Sequence, residues 1–201
     1  MMKRGVMVLA GLLLAACGGN VRTAEAVQYD LGNMSGNWEG SRVPIAGVEV
    51  HASSWLSGPA MHFRLAYAEP LRRQSYAESR WVAPPAELLE RFLKRRVVFG
   101  QPDFSGAGCR LQLVLDELEQ RFDGPQASVQ VLEVRATLAS SRGTELVSKR
   151  AFLIQKPALT ATAGGGVAAT RDAMQALAGE LGAWLDEAGR EKPSIVQRCR
   201  T

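Results

Sequence analysis

An uninterrupted run of apolar and small residues from Val6 to Ala16 ends in Leu14-Ala15-Ala16-Cys17, and Lys3 and Arg4 give it a positive start. This is the charge and hydropathy pattern of a secretory signal, and at eleven positions it is too short for a bilayer span, which needs roughly 20 residues. The feature divides the chain before any folding argument begins. Residues 1–16 are expected to be removed, and whatever folds must be built from Cys17 onward.

The small pair before Cys17 resembles the lipobox of bacterial lipoprotein precursors. That resemblance implies a diacylglycerol on the Cys17 thiol, cleavage on its N-terminal side and acylation of the new amine. At about 0.8 kcal/mol per buried CH2, two or three chains such as palmitate hold a protein to a membrane almost permanently. Gly18 and not Asp follows the cysteine, which by the sorting rule for Gram-negative lipoproteins implies the outer membrane, with the domain facing the periplasm. Gly18 to Gln28 is small and polar and is read as a tether; at about 3.5 Å per residue it reaches roughly 40 Å.

Three cysteines are present. With Cys17 assigned to lipid, Cys109 and Cys199 remain as an even pair in an oxidising compartment, and a disulfide between them is expected. The alternative is two buried thiols. The formal charge of +4 halves once Lys3 and Arg4 are removed. Basic and acidic residues are interspersed, so nothing points to nucleic acid.

Residues 29–201 read as one α+β domain, a mostly antiparallel sheet with two amphipathic helices packed on one face. Val43 to His51 is the first clear strand, and Met61, Phe63, Leu65 and Tyr67 then alternate with polar or small residues at the period of a half-buried strand. Arg72 to Trp81 reads as an edge strand with a charged outer face. Pro84-Pro85 opens a helix with the stripe Leu88, Leu89, Phe92, Leu93 and Val97, acidic residues early and basic ones late, as the helix dipole favours. Cys109–Phe122, Ser128–Leu138 and Thr144–Gln155 read as a meander. Thr160 to Gly166 is expected to be a flexible hinge before a final helix carrying Met174, Leu177, Leu181, Trp184 and Leu185.

The usual catalytic constellations are missing from the sequence. There is no G-x-S-x-G; Ser53 and Ser54 lie beside His51 on a strand and have no reason to meet it. The only histidines are His51 and His62, and no Cys-x-x-Cys pair occurs, so no metal is expected. Gly164-Gly165-Gly166 lacks the Lys-Ser/Thr of a phosphate loop. Asp116, Glu117 and Glu119 are read as a solvated face. The expectation is a non-enzymatic protein without cofactors.

Ser54 to Trp81 combines aromatic and cationic residues. Phe63 and Tyr67 are read as core packing, whereas Arg72, Arg73, Tyr76, Arg80 and Trp81 are nominated as a partner-binding surface, because Arg and large aromatics dominate interface hot spots. The motifs Trp55-Leu56-Ser57-Gly58-Pro59-Ala60-Met61-His62-Phe63-Arg64, Tyr67-Ala68-Glu69-Pro70-Leu71-Arg72, Tyr76-Ala77-Glu78-Ser79-Arg80-Trp81 and Pro84-Pro85-Ala86-Glu87-Leu88-Leu89 resemble the PqiC-like auxiliary lipoproteins of ABC-type transport systems. The resemblance runs from about Tyr29 to the last helix. It implies a non-catalytic companion of an MCE-domain phospholipid carrier, docking that periplasmic conduit to the outer membrane. A stand-alone structural or assembly lipoprotein of the outer membrane is the alternative. An exposed sheet edge leaves homo-oligomerisation open.

Overall fold

The alternating segments become strands and the 3.6-period segments become helices. The computed structural model describes residues 25–34, 41, 43–98, 108–140 and 145–200. The signal segment, Cys17, most of the tether, and much of the loops expected at 31–42, 99–108 and 141–143 lie outside the described residues. In chain order the elements are β1 (Val27–Tyr29), β2 (Ile45–Ala52), β3 (Ala60–Leu65), β4 (Arg73–Trp81), α1 (Pro85–Leu93), β5 (Cys109–Gly124), β6 (Ala127–Ala139), β7 (Leu146–Pro157), α2 (Ala163–Glu191) and α3 (Pro193–Arg200). A π-helical turn, Lys94–Val98, extends α1.

One seven-stranded sheet has the order β1-β4-β3-β5-β6-β7, with β2 also on β5. The meander β5-β6-β7 is antiparallel as expected. The sheet is nevertheless mixed, because β1–β4, β2–β5 and β3–β5 are parallel. β2 and β3 lie end to end along one edge of β5: Ile45–Ala52 faces Cys109–Leu115, and Phe63–Leu65 faces Gln120–Phe122. The 3-10 turn Ser54–Leu56 fills the gap, and the Ser53 N–H donates to the Leu115 carbonyl at 3.1 Å. β4 is not a bare edge, since β1 pairs with its last three residues. Val27 and Gln28, inside the expected tether, are thus already part of the sheet.

A register shift in β5 between Leu115 and Glu117 changes which residues face the helices. Before it, Leu111, Leu113 and Leu115 point inward; after it, Leu118, Gln120 and Phe122 do. The bulge therefore moves Glu117 and Glu119 to the helix-free face, where an unbroken strand would have put Leu118.

α2 lies over β6 and β7, and α1 over β2. The Leu89, Leu93, Leu111, Leu113, Leu132, Met174, Leu177 and Leu181 side chains are wholly buried between them. Glu90 accepts the Val50 N–H at 2.8 Å, covering part of the open β2 edge. Burial pushes the Glu90 carboxyl up, but hydrogen bonds from Lys94 and Val50 outweigh it and hold it below its ordinary value. Among the described residues no helix is long and apolar enough to cross a membrane.

The glycine run is not a hinge. Gly164, Gly165 and Gly166 form the first turn of α2, and Thr162 caps it by accepting the Gly165 N–H at 3.1 Å. Two of them are glycines because the helix end is crowded: a Cβ on Gly165 would lie 2.1 Å from the Thr160 carbonyl oxygen, and one on Gly166 2.3 Å from Gln120 Oε1. The expected disulfide is present, joining Cys109 at the start of β5 to Cys199 on α3 across 90 residues of chain, with the Cα atoms 4.6 Å apart.

Two stability predictions follow from this packing. Gly179→Ala meets nothing within 4 Å and should stabilise the mid-helix by about 0.5–1 kcal/mol, whereas Gly165→Ala should destabilise by at least about 1–3 kcal/mol; chemical denaturation midpoints of the two variants should move in opposite directions. The double variant Cys109→Ala/Cys199→Ala should lose about 2–5 kcal/mol, the range for removing a native disulfide, read in the same experiment under non-reducing conditions.

Candidate partner-binding face

The helix-free face of the sheet is a ladder of ion pairs built from residues that alternate with the core. From β3 and β5, Arg64 donates to Glu119 at 2.9 Å. Arg73 on β4 is paired with Glu117, its Nη1 donating to Oε1 at 2.7 Å and its Nη2 to the other oxygen. Arg135 on β6 holds Asp116 through two hydrogen bonds of 2.6 and 2.7 Å, which keeps that carboxyl below the usual aspartate value. The hydrogen bond from Arg73 to Glu117 outweighs burial and raises the guanidinium further above its ordinary value. The acids expected to be solvated are therefore tied down by arginines, and Glu119 is buried beneath its partner.

At one margin of this ladder stands Trp55. The residue is 53% exposed, and the Arg73 guanidinium lies over its ring, 5.8 Å from the centroid. His62 locks the neighbouring backbone: its Nε2 is 3.0 Å from the Trp55 carbonyl oxygen and its Nδ1 3.1 Å from Ser75 Oγ. The tautomer with hydrogen on Nε2 satisfies both contacts, with the serine hydroxyl donating to Nδ1. The exposed tryptophan is thus held in place before anything meets it.

The five nominated residues do not share one surface. Arg72 is exposed in the turn before β4 and pairs with Glu69 at 3.1 Å. Arg73 lies on the ladder, and Arg80 is exposed further along β4. Trp81 is only 4% exposed and belongs to the core, so it is withdrawn as a direct contact. Tyr76 is half-buried on the helix-covered side, its ring 4.7 Å from that of Phe63. The Tyr76 hydroxyl donates to Gln120 Oε1 at 2.9 Å, and Gln120 Nε2 donates to Ser128 Oγ at 2.9 Å. Burial pushes the Tyr76 phenol up to about 12. Tyr67, expected in the core, is 49% exposed. Trp55 and His62 are the residues the nomination missed; the signal was the aromatic at the start of the Trp55–Arg64 motif, followed by a polar position in phase with Arg64.

Burial disfavours the Tyr76 phenolate, so its folded value lies above the ordinary one. The stability it supplies is present below about pH 10 and lost as pH rises toward 12. Denaturation midpoints of the wild type should fall across that window, and Tyr76→Phe should flatten the slope while lowering stability at neutral pH by about 1 kcal/mol.

Among the described residues no group of acids, histidines and cysteines could hold a metal ion. In overall fold the chain is similar to a crystal structure of a Xanthomonas campestris protein of the DUF330 family, at 20% identity and a TM-score of 0.65 over 82% of this chain and 98% of that one. A second crystal structure, of an uncharacterized protein, is 16% identical with a TM-score of 0.56, covering 80% of this chain and 99% of that one. No curated protein matches. The model of the ABC-type transport auxiliary lipoprotein component matches residues 69–182, from the turn before β4 to the middle of α2. The chain thus belongs to the ABC-type transport auxiliary lipoprotein family, whose members are membrane-anchored envelope companions of a transporter.

Proposed function

We propose that this protein is a non-enzymatic tether that docks the periplasmic conduit of an MCE-type phospholipid transport system to the outer membrane. Acyl chains on Cys17 hold one end, and the domain contributes a binding surface rather than chemistry. The observation that carries the reading is the exposed Trp55 beside Arg73 on a rigid, helix-free sheet face, in a chain of the transport auxiliary family. Arg72 and Arg80 border this face as exposed cations. Arg73 is spoken for by Glu117 and acts by presenting the indole.

The ion pairs suit such a surface. Held in place by their partners, these side chains lose little further freedom on association, so less of the contact energy is spent on ordering them. A tryptophan at the margin supplies the apolar anchor.

Affinity purification of the lipidated protein from mildly cross-linked membranes should recover an MCE-domain protein with its permease and ATPase. Trp55→Ala should weaken that capture roughly 30-fold, the loss typical of a hot-spot tryptophan, while shifting stability by no more than about 0.5 kcal/mol. Equal capture by the variant overturns the site, and recovery of a barrel-assembly or cell-wall protein in place of the transporter overturns the partner.

A further inference from the structure

Three loops meet at one end of the sheet. The β3–β4 turn leaves where the Ala66 N–H donates to the Phe122 carbonyl, and the β7–α2 loop leaves where the Ala158 N–H donates to the Ser128 carbonyl. Phe122 and Ser128 face each other across β5 and β6, where the β5–β6 hairpin also closes. With strands about 4.8 Å apart, this end is roughly 15 Å across.

Its most prominent side chains are apolar. Leu71 on the first loop is 95% exposed and Leu159 on the last is 94% exposed, the highest values among the large apolar residues described, and Tyr67 accompanies them. Single exposed leucines are ordinary. Two at the tips of loops that share one end of the sheet are not, and both loops are built to hold them. Arg64 Nη1 donates to the Pro70 carbonyl at 3.0 Å, and the Arg72 N–H donates to the Glu69 carbonyl, so Leu71 is fixed between two anchored residues. Leu159 is followed by the Thr160–Thr162 hydroxyl contact of 2.9 Å and the cap of α2. The acids of this end, Glu69 and Asp123, are each paired with an arginine, Arg72 and Arg121, which removes an obstacle to approaching anionic headgroups.

β1 points away from the same end. It runs parallel to β4, with Val27 opposite Ser79, so Val27, its first residue, is the one nearest the start of β4. Arg73 and Arg80 face Arg64 and Ala60, a span of four β3 residues or about 13 Å. Val27 is ten residue steps from Cys17, a reach of at most about 35 Å. An anchor at Cys17 can therefore bring the leucine-bearing loops to the surface in which its own acyl chains are embedded.

We infer that Leu71, Leu159 and Tyr67 form a second, non-covalent membrane contact, inserting into the phospholipid leaflet that holds the lipidated N-terminus. The inference rests on the lipid-anchor reading for its geometry. Leucines take the acyl boundary and the tyrosine the interfacial level. The contact removes the swivel that a single tether would allow.

The test uses the chain from residue 17 onward carrying Cys17→Ser, which keeps every residue of the described fold and has no acyl acceptor. Its partitioning onto vesicles of phosphatidylethanolamine with a minority of phosphatidylglycerol should be measurable by flotation at high lipid concentration. Adding Leu71→Asp and Leu159→Asp should weaken partitioning at least about tenfold, with thermal unfolding unchanged because both side chains are in solvent. A polarity-sensitive fluorophore on Leu71→Cys should shift to the blue with vesicles, whereas one on Glu180→Cys, exposed on α2, should not. No partitioning, equal partitioning of the aspartate variant, or an unshifted probe at position 71 overturns the inference. The mass of the N-terminal peptide from cell-derived wild type separates the two readings. Acyl chains without leucine dependence remove only the tip contact, and leucine dependence without acyl chains removes only the anchor.

Discussion

Hydrogen bonding along both edges of β5 fixes where almost everything else in the molecule lies. One edge takes β6 over nearly its full length; the other is divided between β2 on its first half and β3 on its second. Parallel partners cannot be joined to β5 by a tight hairpin, so the chain must leave after β3, build β4 and α1, and return before β5 begins. α1 and the β4 margin are by-products of that detour. The bulge near Asp116 then decides what each half of the strand shows: an aliphatic underside beneath β2, and farther on a mixed underside with carboxylates above.

The mixed underside has its own requirement. Gln120 is buried between strands and helix, and a buried amide without partners costs about 1–3 kcal/mol or more. Tyr76 and Ser128 supply those partners, and the closeness of α2 is possible because Gly166 has no side chain there. A polar residue on β5, a tyrosine on β4 and a glycine on α2 are thus one arrangement. It pins the start of α2 over the sheet, and the disulfide pins the opposite end of the fold through α3.

The apolar periodicities were largely legible: the alternation through Leu111–Leu115 and the stripe Met174, Leu177, Leu181, Leu185 each mark a buried face, whereas the alternation from Met61 to Tyr67 gives a strand of which only Met61 is buried and Tyr67 is exposed. So was the Cys109–Cys199 pairing, through cysteine arithmetic alone. The reading failed where period and identity conflict. Leu111, Leu113 and Leu115 are odd-numbered and Leu118 and Phe122 even, a phase change that marks the bulge and that a single-period reading of Cys109–Phe122 passes over. Three consecutive glycines suggest a hinge unless it is known that Thr160 and Gln120 crowd the helix start, and that contact is tertiary. The aromatic-cationic segment was recognisable as unusual, but the inward turn of Trp81, out of phase with Arg73, depends on the β4 irregularity opposite Ala60 and His62, which no local pattern announces.

These constraints bear on how a tethered domain can hold a partner. A lipid anchor fixes position but not orientation, and a binding face on a freely turning domain is presented to its partner only part of the time. Here α2, 29 residues and about 44 Å long, starts beside the leucine-bearing loops and ends at the disulfide-locked α3. It forms a rigid strut between the two ends of the sheet. In the proposed orientation the loops meet the leaflet and the strut stands away from it. The helix-free face, with Trp55 at its margin, then stands along that direction rather than against the membrane. Its ion pairs suit that exposure. A sheet face left without helices must meet water when no partner is bound, and arginine–carboxylate pairs cover it without creating an apolar patch that would aggregate. The two proposed apolar contacts lie at the margin and at the tip, where a partner and a bilayer are available to cover them.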